Sequence, residues 1–150
     1  TLTKGTGVIN RIFHGFGKFE GEMDGRKNGA LISMSNGKAV AFAIFNLQAR
    51  GEMFVTHNDP VYEGMIVGLA PKAGDMIINV MKGKQLTNMR TQGTDENVVL
   101  TPVRQMSIAE QLSMLNTDEA LEITPKSLRL RKAILNPNDR KKNEKSGTPL

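Results

Sequence analysis

Apolar residues in this chain fall in short alternating runs separated by glycine-rich turns, not in long helical stripes, a pattern that predicts strands joined by tight connections. Leu2, Lys4, Thr6, Val8, Asn10 and Ile12 lie on one side of an extended segment, so Leu2–Ile12 reads as a strand weakened by Gly5 and Gly7. Ala30–Met34 and Lys38–Ala43 flank Asn36-Gly37, a dipeptide that takes the positive φ angles of a type I′ turn, which predicts a β-hairpin. Phe45–Gly51 reads as a short helical turn closed by glycine, Glu52–Thr56 as a strand, and His57-Asn58-Asp59-Pro60 as a turn. Met65–Leu69 and Met76–Val80 are expected as further strands, the first of them buried. Val98–Leu100 is a third apolar run.

Toward the C-terminus the pattern changes. Ser107-Ile108-Ala109-Glu110 places a hydroxyl at a helix start and a carboxylate three residues on, a capping box; Ile108, Leu112 and Leu115 would form the buried face of a short helix. Leu121–Ile123 and Leu128–Leu130 alternate like strands around Thr124-Pro125, with Arg129 and Arg131 projecting opposite to Leu128 and Leu130. Asn136-Pro137 can start a last short helix, ended by Gly147 and Pro149, beyond which the chain should fray. No internal repeat is visible, and the predicted class is a mostly antiparallel α+β domain with short helices.

Charge singles out one connection. Residues 82–93, Lys82-Gly83-Lys84-Gln85-Leu86-Thr87-Asn88-Met89-Arg90-Thr91-Gln92-Gly93, carry three cations and no acid; the nearest acids are Asp75 and Asp95. Gln85, Thr87, Asn88 and Gln92 add donors and acceptors suited to phosphates and base edges, and the glycines leave the backbone adaptable. Lys82, Lys84 and Arg90 could neutralise about three phosphates, giving a slope of log affinity on log salt near about −2 to −3. A second basic region follows: residues 126–145 hold eight cations against two acids, a net of +6, leaving −1 for the rest of a chain whose total is +5. A nearly neutral body with a basic loop and a basic end can touch a polyanion at two places.

Composition narrows the chemistry. The 150 residues, 39% apolar, suffice for one ordinary domain. No apolar run approaches the roughly 18 residues of a membrane span, and a cytoplasmic protein is expected. The absence of cysteine removes disulfides, thiolate metal sites and a thiol nucleophile. Gly-Lys occurs three times but is followed by Phe19, Ala39 or Gln85, whereas a P-loop needs Ser or Thr there to hold magnesium. Gly15-Phe16-Gly17 has Glu20 where a dinucleotide fingerprint needs its third glycine, and no βαβ unit surrounds it. His14 and His57 have no ligand spacing, Asp95-Glu96 and Asp118-Glu119 lack a third partner, and no serine sits in a Gly-x-Ser-x-Gly elbow. The residues point away from catalysis, metal binding and membranes, and toward backbone-charge recognition of nucleic acid.

Five blocks go beyond generic pattern: Gly25–Ser33, Leu47-Gln48-Ala49-Arg50-Gly51, Val61–Gly68, Lys82–Arg90 and Thr124–Lys132. In order and spacing they resemble the C-terminal part of the BipA/TypA translational GTPases, relatives of elongation factor G. The resemblance runs over nearly the whole chain. It implies that residues 1–20 are the terminal strand of a domain shared with elongation factor G, 21–136 the family's own C-terminal domain, and 137–150 a basic helix and tail. It also implies that GTP and Mg belong to an upstream domain, with no cofactor in this segment. The partners implied are the ribosome, through large-subunit rRNA and A-site tRNA, and the upstream domains, through intramolecular contact. The roles implied are in translation, large-subunit assembly and stress response. Carried onto this chain, the RNA-contacting residues are Lys82, Lys84, Gln85, Thr87, Asn88 and Arg90, with Arg26, Lys27, Arg129, Arg131 and Lys132 as further candidates. The competing expectation is a structural or protein-interaction domain that positions the GTPase domain without touching RNA.

Overall fold

The computed structural model of the chain describes residues 7–8, 10–18, 26–83 and 99–146. Its organising element is β1 (Ala30–Ser33), in which all four residues are buried. A strand covered on both faces needs backbone partners on both edges. On one side β1 pairs antiparallel with β5 (Ile66–Leu69), through Ala30↔Leu69 and Leu31↔Gly68 and, across a bulge, Ile32↔Ile66. On the other it runs parallel to β6 (Met76–Ile78). With β3 (Glu52–Met53) on the outer edge of β5, the order is β3-β5-β1-β6.

Alternation along β1 divides the core in two. Leu31 packs with Ile44, Leu47, Val67, Ile78 and Val80, under helix α1 (Ala41–Gln48), whose Ala43, Ile44 and Leu47 face inward. Ala30 and Ile32 pack with Ile66 and Leu130. That second face lies under the hairpin of β7 (Glu119–Ile123) and β8 (Leu128–Lys132), whose register is Ala120↔Arg131 through Ile123↔Leu128. A bridge between Met65 and Arg131 and the bond from Lys132 N to Gly64 O (2.9 Å) fix the hairpin to the chain entering β5. The predicted α+β class with mostly antiparallel pairing is thus observed, as are the Thr124-Pro125 hairpin and the turn at Asn58, which has φ 74°.

The hairpin predicted at Asn36-Gly37 is not formed. The chain does turn there, but β2 (Gly37–Lys38) pairs with β4 (Pro60–Val61), and Ala41 already begins α1. The physical reason is that β1, buried along its whole length, takes β5 and β6 as its edge partners, while the spacing of Ala43, Ile44 and Leu47 suits the segment after the turn to a helix. Helix α2 (Ile108–Ser113) starts as predicted, with Ser107 Oγ accepting from Glu110 N at 3.3 Å and Glu110 Oε2 accepting from Ser107 N at 2.9 Å. Its buried face is not the predicted one. Gln111 is buried, Ile108 and Leu112 are about half exposed, and Leu115, beyond the helix end, packs on the second cluster. Residues 111 and 115 share one face, and 108 and 112 lie beside it.

Gly64 sets the path of the C-terminus. Its φ is 84°, and a Cβ there would sit 2.7 Å from Leu135 Cα. Beyond that contact, α3 (Pro137–Ser146) begins at the predicted Asn136-Pro137, with Asn136 Oδ1 accepting from Asn138 N at 2.8 Å. Of the predicted strand at Leu2–Ile12, residues 1–6 and 9 lie outside the described residues, and 7–8 and 10–12 have no strand structure. Val98 also lies outside them, and Val99–Leu100 is not a strand.

Candidate nucleic-acid interface

Of the predicted loop, Lys84, Gln85, Thr87, Asn88 and Arg90 lie outside the described residues, while Lys82 is described and exposed. Both roots of the loop are described. On the outgoing side Val80 is fully buried and its carbonyl accepts from Val40 N at 2.9 Å; Met81 packs against the first core cluster. On the returning side Leu100 packs on the same cluster. Gln48, the last residue of α1, then grips Thr101 in both directions: Nε2 donates to Thr101 O at 2.9 Å and Oε1 accepts from Thr101 N at 3.1 Å. Each such bond contributes about 0.5–1.5 kcal/mol net, and together they tie the loop's return to the sheet face that holds its exit.

The further cationic candidates separate into two sets. Lys27 is exposed. Arg129 is half-buried, 3.5 Å from Glu122, and Arg131 donates from Nη1 to the carbonyls of Lys132 (3.1 Å) and Ala133 (3.4 Å). Glu122 also accepts from Tyr62 Oη at 2.5 Å. Burial, then that hydrogen bond and the negative charge of Glu122, push the Tyr62 phenol up to about 12. At the hairpin tip Lys126 is exposed, as are Lys141 and Lys142 on α3.

Arg26 and Lys132 belong to the interior, a correction to their reading as surface cations. Lys132, 2% exposed, places Nζ at 2.5 Å from Asp75, 2.7 Å from Asp118 and 3.0 Å from Glu119. Arg26 forks onto Glu119 with bonds of 2.7 and 3.1 Å and donates to Met114 O at 3.2 Å. Asp75 also accepts from Ala30 N at 2.7 Å, so the cluster joins β1, the entry to β6 and both hairpin strands. Burial alone would lower the Lys132 ammonium, but its bonds to Asp118, Asp75 and Glu119 hold it above its ordinary value. Burial alone would raise the Asp75 carboxyl; the Ala30 amide and Lys132 outweigh it and hold it below. Sequence offered one missed signal. Residue 132 has the parity of Leu128 and Leu130, so it points inward with them, opposite to Arg129 and Arg131.

Among the described residues no group of three or more His, Cys, Asp or Glu is arranged to hold a metal, and no helix is long and apolar enough to cross a membrane. The fold and these side chains define an α+β domain whose inward cations tie its layers together and whose outward cations lie at a loop root, a hairpin tip and a terminal helix. The TypA/BipA C-terminal domain family model matches residues 28–137, and the chain belongs to that family. The resemblance read from the five sequence blocks is thereby borne out. Among curated relatives, a protein of Buchnera aphidicola (Schizaphis graminum) named "Large ribosomal subunit assembly factor BipA" is 48% identical over 151 residues, covering 100% of this chain and 25% of the relative. Proteins of the same name from Salmonella typhimurium and Escherichia coli K12 are each 46% identical over 143 residues, covering 95% of this chain and 24% of the relative. The chain spans about a quarter of the length of the curated relatives it matches.

Proposed function

We propose that this chain is the ribosome-docking end of a GTPase that acts in large-subunit assembly, translation and stress response. In this reading Lys82, Lys84, Gln85, Thr87, Asn88 and Arg90 contact A-site rRNA and the acceptor end of tRNA, and GTP and magnesium are held by an upstream domain. The observation that carries it is an uninterrupted one-signed loop sequence within a family whose members are named for large-subunit assembly, rooted on the core at Met81 and Thr101. Rigid roots favour such a role, because a loop whose ends are fixed loses less entropy when its middle is ordered on a partner. Lys27, Arg129 and Arg131 are retained as secondary contacts. Arg26 and Lys132 are not, since their charges are already matched by carboxylates.

Filter binding of the longer protein to large subunits over a range of salt tests the loop. Replacing Lys82, Lys84 and Arg90 together by alanine is expected to weaken binding and flatten the slope on log salt by about two to three. Unchanged affinity and slope would remove the loop from the interface.

One observation supports the second reading, a domain that positions its upstream neighbours. Ile12 and Phe16 are 95% and 99% exposed, and the rings of Phe13 and Phe16 meet edge to face at 5.5 Å. An apolar group of this kind fits intramolecular contact with an upstream domain. If that is its whole role, Phe16→Asp uncouples the domains in a melting experiment, and the triple alanine variant binds ribosomes normally.

A further inference from the structure

A groove of about 830 Å³ lies between the tip of the β7–β8 hairpin and the segment that leads into α2. Its floor is the second core cluster, with Phe54, Ile66, Met106 and Leu130 presented from below. Lys82, Met81 and Leu100 are not among its lining residues, so it is a different surface from the loop roots. The volume is of the size that takes a compact ligand or a few residues of extended chain.

Its lining specifies chemistry. Gln111 is only 8% exposed; its Nε2 donates to Met106 O at 3.3 Å, while its Oε1, buried in the same wall, has no hydrogen-bond partner among the described residues. A buried carbonyl oxygen without a donor is unfavourable, and an N–H from an occupant would relieve that. Ile108 and Ile123 stand on opposite rims, 48% and 66% exposed. Three cations, Arg104, Lys126 and Arg129, line the groove against one carboxylate, Asp59, which already accepts from Thr56 N and Oγ1. Because Arg104 shares Glu110 at 3.2 Å and Arg129 shares Glu122 at 3.5 Å, the positive excess centres on Lys126.

We infer that this groove docks a short extended polypeptide segment of a partner protein, apolar side chains down and a carboxylate at the Lys126 end, with a main-chain N–H donated to Gln111 Oε1. Peptide backbone supplies the N–H that Gln111 lacks, and the apolar rims exclude water from the bond. Nucleic acid fits less well. Phe54 is the only aromatic residue lining the groove among the described residues and lies half-buried in its floor, so the groove offers no open ring face on which bases could stack.

The test is fluorescence anisotropy on the 150-residue chain with labelled pentapeptides of Leu, Val or Ile followed by Asp-Glu, alongside the same peptides ending in Lys-Lys and a single-stranded pentauridylate. Saturable binding by acidic peptides is expected. It should weaken about tenfold or more in Ile123→Asp, whose exposed position spares the fold, and about fivefold in Lys126→Glu. Gln111→Leu should weaken it about fivefold with little change in melting temperature, since the loss of the unmatched oxygen is offset by the loss of the bond to Met106 O. The inference is overturned if no acidic peptide saturates, if the lysine peptides bind equally, if the three variants bind like the parent chain, or if pentauridylate competes for the site. It is also overturned if the longer protein excludes the peptides, which would show that its own chain covers the groove.

Discussion

The two ends of β8 carry the same kind of residue into opposite circumstances. Lys132 closes the strand inside the protein, surrounded by Asp75, Asp118 and Glu119. Arg129, three residues earlier and on the other face, is half-exposed and has a single carboxylate at 3.5 Å. Positive charge in a basic stretch is therefore no measure of what a partner can reach. At one end it is fully used by the fold, and at the other most of it is left for solvent or a ligand.

The largest expected effect tests that contrast directly. Lys132→Met, which takes the shared cation from Asp75, Asp118 and Glu119 and leaves Arg26 as the ion-pair partner of Glu119, should lower the unfolding free energy by about 3 kcal/mol in urea titrations. Arg129→Met should cost less than about 1 kcal/mol, and less again in high salt. Equal costs would break the comparison.

A smaller effect appears in the pH dependence of the same measurement. Asp75 is held below its ordinary 3.8, so its contribution is complete above that value and is lost as pH falls through the lower folded value. Lys132 is held above its ordinary 10.5, so its contribution is complete below that value and is lost as pH rises through the higher folded value. The stability gap between the parent chain and Lys132→Met should thus be flat from about pH 5 to 10 and narrow at both extremes.

The smallest effect sharpens the exposed end. Tyr62, pushed up to about 12, should ionise late in an ultraviolet titration of phenolate absorbance. Glu122→Gln should bring its midpoint down, yet leave it above the ordinary 10.0 because burial remains the leading cause. No movement would mean that Glu122 is not the partner that holds Tyr62 beside Arg129.

What the sequence revealed tracks how local each signal is. The Ser107–Glu110 box and the Asn136-Pro137 start are complete within a few residues, and both are present. The β7–β8 hairpin was equally legible, since its alternation and its turn agree. Asn36-Gly37 was a correct turn signal attached to a wrong partner, because the competition for the edges of β1 is settled by β5 and β6, both distant in sequence. The parallel β1–β6 pair left no local trace at all. At the candidate interface, the family and the loop's charge were readable, whereas the Gln48–Thr101 clamp spans 53 residues and the carboxylates around Lys132 come from two separate stretches. Charge is visible in a sequence, but its neutralising partner is visible only after folding.

Position 64 has an alphabet of one letter. Its backbone is left-handed at φ 84°, and the space a methyl group would need is held by the main chain of Leu135. Its amide and carbonyl are also committed, to Ser33 and Lys132. Alanine meets the strain and the collision together, so no compensating change of side chain nearby can readmit it. The route by which the basic C-terminal helix leaves the domain is therefore written at a residue that carries no side chain, far from the helix it aims.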